Sequence, residues 1–210
     1  MPQHSQRTLQ LPLAELSSSV ISALFTHNDD IWSAVPVEQI RALKKLPDGP
    51  DRLTVLLRHA HLFLARFALA AAPATFAHAR NCCNLIARVC PVAFEGCSVE
   101  RADELFWLPP SNGESALGRG LVDVCLELMF LPHFCCSSTN QIWSQGLGSF
   151  VPKPQIIDQA LNPNRHAVVL ALLGVCSLPL FIPTSEMTAK GNRFVSYIVS
   201  ADPIMAQVHK

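Results

Sequence analysis

Between residues 50 and 72 the apolar side chains Leu53, Leu56, Leu57, Ala60, Leu64 and Phe67 recur at three- and four-residue steps, while Arg52, His59 and Arg66 fall seven apart on another face. Only a helix gathers such positions into one stripe. The next segment repeats the pattern with Phe76, Ala79, Cys82, Ile86, Val89 and Ala93, and Pro91, lacking the donor the ladder needs, is expected to kink or end it. A third stripe, Leu117, Leu121, Val124, Leu128 and Leu131, stops at Pro132, with Gly118 and Gly120 weakening its first turns. Asn162 followed by Pro163 reads as an N-cap and first helical residue, opening a helix toward Ile182 that Pro183 stops. Apolar on every side, it is expected to lie centrally.

Shorter helices are expected at 20–25, 36–46 and 192–200, and Asp202-Pro203 starts another with seven residues left to run. No strand pair with a hairpin turn is visible. Half of the 210 residues are apolar, enough for a substantial core. The expected fold is therefore all-α, an irregular helical bundle or an α-solenoid of HEAT- or armadillo-like helix pairs, although no fixed-period motif repeats. Residues 1–19 read as a poorly structured segment and 20–210 as a single helical domain.

Charge narrows the function. Sixteen Lys plus Arg balance sixteen Asp plus Glu, ten against ten in residues 1–105 and six against six in 106–210. Without a basic face the chain has no electrostatic reason to bind nucleic acid. The N-terminal stretch lacks the apolar run of a signal peptide, and Pro2 stands where N-myristoylation needs glycine. Arg58, His59, His61 and Arg66 interrupt the apolar run 53–79, and the sixteen-residue run 167–182, broken by Ser177 and Pro179, falls short of the about twenty residues a span needs. Both read as helices of a folded core.

Eight cysteines raise metal and thiol chemistry. Cys82, Cys83, Cys90 and Cys97 cluster behind His78, but no Cys-x-x-Cys knuckle occurs. Adjacent pairs Cys82-Cys83 and Cys135-Cys136 are poor disulfide partners, so reduced, buried thiols are expected. Cys136 near His133 has no orienting signature, and Gly-x-Ser-x-Gly is absent. Gly113, Gly118, Gly120, Gly146 and Gly148 match no phosphate-loop pattern and read as turn glycines. Glu100, Asp103 and Glu104, mixed with Arg101, read as the solvated first turn of a short helix. Trp32, Trp107 and Trp143 lie at connections, where packing over helix ends outweighs a role as partner anchors. No catalytic, cofactor-binding or metal residue is assigned, and the partner-binding face stays open.

The order of segments carries more. Asn-Asp-Asp-Ile-Trp (28–32) precedes Val-Pro-Val-Glu-Gln-Ile-Arg-Ala-Leu (35–43), then Asn-Cys-Cys-Asn-Leu-Ile-Ala-Arg-Val-Cys-Pro-Val-Ala-Phe-Glu (81–95) and Leu-Phe-Trp (105–107). Leu-Met-Phe-Leu-Pro-His-Phe (128–134) and Ile-Trp-Ser-Gln-Gly-Leu-Gly (142–148) follow. This ensemble resembles the N-terminal part of the high-temperature-induced dauer-forming protein family, a relative of dymeclin, over roughly residues 20–203. The resemblance implies an all-helical, non-enzymatic peripheral protein on the cytosolic face of the Golgi and trans-Golgi network, sorting cargo into secretory granules with other trafficking proteins and needing no cofactor. It also implies that this chain is only the front of a longer solenoid, whose uncapped end near Ile198 and Met205 would self-associate. The competing expectation is a small cytosolic cysteine-dependent enzyme or zinc-binding protein using Cys82, Cys90, Cys97, His78 or the Cys135-Cys136 pair.

Overall fold

The computed structural model describes residues 35–110, 113–137 and 159–200. Among them the order is α1 (Val37–Lys44), α2 (Gly49–Leu69), α3 (Phe76–Phe94), α4 (Val99–Trp107), α5 (Leu117–Met129), α6 (Asn162–Val175), α7 (Thr184–Lys190) and α8 (Arg193–Val199). Short 3-10 turns precede α3 and α6 and follow α6. The described residues contain no strand, only an isolated bridge between Pro132 and Cys136. The protein is all-α. Trp32, Trp143, Gly146, Gly148, Met205 and the expected helices at 20–25 and after Asp202 lie outside the described residues.

Two helix pairs stack like on like. Within the pairs α2 packs on α3 and α5 on α6; between the pairs α2 meets α5, and α3 meets α6 in the most extensive contact of the fold. Over four helices this pattern is shared by a four-helix bundle and by two consecutive solenoid repeats. Both stacking contacts are made at a glycine. A Cβ on Gly120 of α5 would stand 2.7 Å from the His61 imidazole of α2, and one on Gly174 of α6 would stand 2.9 Å from the Ala87 Cα of α3. Gly118 is also helical, its Cα facing the Phe194 ring, which a Cβ would approach to 3.0 Å. Of the glycines read as turns, Gly113 is one, at φ 80°, whereas Gly118 and Gly120 lie inside α5 and keep its face flat enough for close packing.

The stripes read from the sequence form the core. Leu53, Leu56, Leu57, Ala60 and Leu64 of α2 are fully buried, as are Cys82, Ile86 and Val89 of α3 and Leu121 and Leu128 of α5. Each large aliphatic side chain so buried contributes about 1.5–3 kcal/mol. Phe134, from the loop after α5, stacks edge-on against Phe67 and Phe76. That loop is tied down by buried Asn164, whose Nδ2 donates to the Phe134 carbonyl at 2.7 Å, and by Arg165, whose Nε donates to the Cys135 carbonyl at 2.7 Å.

Three expectations are corrected. Of the two outcomes expected at Pro91, a kink or an end, the end does not occur, for α3 continues to Phe94. The following carbonyls are held from outside: Lys44 Nζ donates to Val92 O at 2.8 Å, to Ala93 O at 3.2 Å and to Glu95 O, while Arg41 Nη2 pairs with Glu95 Oε1 at 2.7 Å. The helix opened near Asn162 does not reach Ile182, since α6 ends at Val175 and a 3-10 turn spans Leu178–Leu180, where proline forbids a continuous ladder. Nor is α6 central. It buries Ala167, Val168, Ala171 and Val175 but leaves Leu173 61% exposed. Absent from the sequence reading altogether is α7.

Candidate partner-binding cleft

Helix α4 starts at Ser98, whose hydroxyl accepts from Arg101 N at 3.2 Å, and ends at Trp107 before two prolines. Helix α8 starts at Asn192, whose Oδ1 accepts from Phe194 N at 3.1 Å and whose Nδ2 donates to Cys176 O at 3.1 Å. That cap fixes the rotation of α8. Phe194 is driven fully into the core among Phe94, Phe106 and Trp107, with ring centroids 5.1–5.8 Å apart. Neighbouring residues of α8 then line a surface cleft. Arg193 stacks its guanidinium 4.9 Å over the Trp107 ring, and Tyr197 meets the same ring edge-on at 5.8 Å.

From α5, Arg119 completes the wall. Its Nε donates to the Tyr197 hydroxyl at 2.9 Å, and that hydroxyl donates to Asp123 Oδ1 at 2.8 Å. Burial, reinforced by the bond to Asp123, raises the Tyr197 pKa, so the phenol stays protonated. The cleft encloses about 650 Å³. Trp107 is 8% exposed, as packing over a helix end requires, yet its Nε1–H is buried without a hydrogen-bond partner among the described residues. Polar contacts hold α7 and α8 against α4: from α7, Glu186 Oε1 accepts from Val99 N at 3.1 Å and Lys190 pairs with Glu100, and from α8, Arg193 Nη1 lies 3.5 Å from Asp103 Oδ2. The acidic trio is thus the partly solvated flank of α4, with Glu100 and Asp103 turned to α7 and α8.

The thiols assemble differently from a reactive site. Cys82, Cys83, Cys90 and Cys125 are buried, and desolvation pushes the first three well above the ordinary thiol range and Cys125 to about 12. Cys135 is pushed to about 12 and Cys176 to about 11 by the same cause. A thiolate, not a thiol, is the nucleophile, so these groups are poor nucleophiles where they stand. Cys82 Sγ donates to the Ala60 carbonyl at 3.3 Å and Cys136 Sγ to the Met129 carbonyl at 3.2 Å. His133 is exposed in a left-handed turn at φ 63°, and its backbone, not its ring, binds Cys136, N to O at 2.7 Å. Among the described residues no three His, Cys, Asp or Glu side chains are grouped to hold a metal ion, and no helix is long and apolar enough to cross a membrane. At the expected apolar end face, Ile198 is half-buried against the core, while Val195 and Val199 are exposed.

Fold and cleft together define an all-helical protein with close-packed helix pairs, shielded thiols and an aromatic, arginine-walled surface depression. The family model described as High-temperature-induced dauer-formation protein matches residues 24–207, and the chain belongs to that family. No curated protein and no solved structure matches the chain.

Proposed function

We propose that this chain is a non-enzymatic peripheral scaffold on the cytosolic face of the Golgi and trans-Golgi network. It acts in secretory vesicle traffic and cargo sorting to secretory granules, by contacts with other trafficking proteins and with the membrane surface. Family membership over residues 24–207 supports this reading, because a Golgi-associated role is consistent with that family. The shielded thiols support it against the cysteine-enzyme alternative: Cys82 and Cys90, two of the residues that alternative would use, are fully buried and pushed well above the ordinary thiol range by desolvation.

The physical basis of a scaffold is surface rather than chemistry. Stacked helix pairs present long rigid faces, and rigidity lowers the entropy lost when a partner docks. Imaging the tagged chain beside a Golgi marker tests the reading: perinuclear overlap with the marker is expected, and a diffuse signal in cells that express the intact chain would overturn it.

A further inference from the structure

Trp107 lines the cleft between α4, α5 and α8, is 8% exposed, and leaves its Nε1–H without a hydrogen-bond partner among the described residues. Native proteins seldom keep such an orphan, because a buried donor has given up its bonds to water and received none in exchange. The other polar groups of the aromatic wall are spent. The Tyr197 hydroxyl accepts from Arg119 and donates to Asp123, while the guanidiniums of Arg119 and Arg193 pair with Asp123 and Asp103 and stack on Tyr197 and Trp107. Their charge is answered within the fold, so the arginines brace the wall rather than attract an anion.

A ligand for this cleft must bring an acceptor to the indole. It should bring few donors of its own, since among the described residues no carboxylate and no side-chain amide lines the cleft to receive them. Proline-rich chain meets both conditions. Each proline carries a carbonyl and no N–H, and the polyproline II helix makes no internal hydrogen bonds, so its carbonyls stay available. From this match we infer that the cleft binds a proline-rich segment of a partner protein in the polyproline II conformation. One carbonyl accepts from Trp107 Nε1, and the proline rings rest on half-buried Tyr197 and Ala116 and on exposed Pro109, all three lining the cleft. Aromatic-lined grooves read such segments in this way. Nε1 is shielded as the ring stands, so docking includes a small rotation of the indole toward the ligand, a side-chain change ordinary at interfaces whose backbones stay fixed. A purely apolar ligand would leave the indole orphaned, and a peptide rich in free N–H groups would add unpaired donors. The inference rests on the scaffold reading and deepens it by naming a class of partner. Its test concerns the purified chain alone, so its failure leaves the Golgi assignment standing.

The test uses the full chain and fluorescein-labelled decaproline, with a glycine-serine peptide of equal length as control, read by fluorescence anisotropy. Decaproline is expected to bind and the control not to, with an affinity nearly independent of salt because no ion pair forms. In nitrogen-15 spectra the Trp107 indole proton, assigned by its loss in Trp107→Phe, is expected to move downfield as the carbonyl accepts it. Trp107→Phe keeps a ring and removes the donor, and should weaken binding by about three- to tenfold, the worth of one hydrogen bond. Because that change also touches packing, Ser196→Arg narrows the cleft from its exposed wall with Trp107 intact, and should weaken binding to a similar degree. Equal affinity for the two peptides, no measurable binding of decaproline, an indole proton that does not move, or affinity unchanged in both variants would each overturn the inference. So would an affinity that falls steeply with salt, which would place the binding on the arginines instead.

Discussion

Gly174 of α6 meets Ala87 of α3 so closely that a Cβ on the glycine would stand 2.9 Å from the Ala87 Cα and 3.0 Å from its carbonyl oxygen. That carbonyl lies four residues before Pro91, which has no N–H to offer it. The crossing of the two helices therefore falls where the α3 ladder lacks a rung. In an isolated helix Gly→Ala stabilises by about 1 kcal/mol. Here overpacking against backbone reverses the sign, and Gly174→Ala is expected to destabilise by about 1–3 kcal/mol in urea unfolding. A variant as stable as the parent would show that the helices can part without cost.

Acid sensitivity is expected from His61. Burial against Gly120 of α5, with Arg58 nearby, lowers its pKa, outweighing Asp123 and Glu114, which act to raise it. The unfolded chain, with an ordinary His pKa of about 6.5, binds the proton more readily than the folded one. Stability from this group is therefore present above about pH 6.5 and lost as pH falls from there toward the folded pKa. Chemical unfolding across that window should show the decline, and His61→Gln should flatten it. A His61→Gln profile that falls as steeply as the parent's would assign the acid response to other groups.

How legible this was in the sequence depends on the range of the signal. The stripes of α2, α3 and α5 are local patterns and appear where periodicity puts them, whereas the cap read at Asn162 is displaced by one residue, for Leu161 occupies the cap position and Asn162 is the first residue of α6. Pro91 misleads because the groups that hold the end of α3, Lys44 and Arg41, come from α1, about fifty residues away. Gly118 and Gly120 read as helix weakeners because the rings they admit, Phe194 and His61, are distant in sequence. Seven residues bounded by Pro183 and Gly191 are too few for a periodic signal, which hid α7. The cleft joins Trp107 and Arg119 to residues 193–200, and no spacing rule links those segments. Family resemblance needed none of this geometry, since it rests on collinear segments alone.

Lys44 acts as a tertiary cap on α3. Desolvation lowers its pKa, yet its ammonium group holds the last carbonyls of α3. Lys44→Met keeps most of the apolar stem and removes the donor, and is expected to cost about 1–2 kcal/mol of stability, with faster hydrogen exchange in the last turn of α3. Unchanged exchange there would assign the capping role elsewhere.

Thiol chemistry should be limited by unfolding. In native protein near pH 8, Cys82, Cys83, Cys90 and Cys125 are expected to resist a disulfide reagent such as dithionitrobenzoate, and to react fully in denaturant. One of the four modified rapidly in the native state would expose a reactive site that the packing does not account for.

Membrane association is the most direct test of the proposed scaffold. Golgi membranes isolated from cells expressing the tagged chain would be washed with alkaline carbonate, and the chain followed in pellet and supernatant. Recovery with the membranes before the wash and release by it is the predicted result. A chain found wholly in the cytosolic fraction, or retained after carbonate as an integral protein is, would contradict the account.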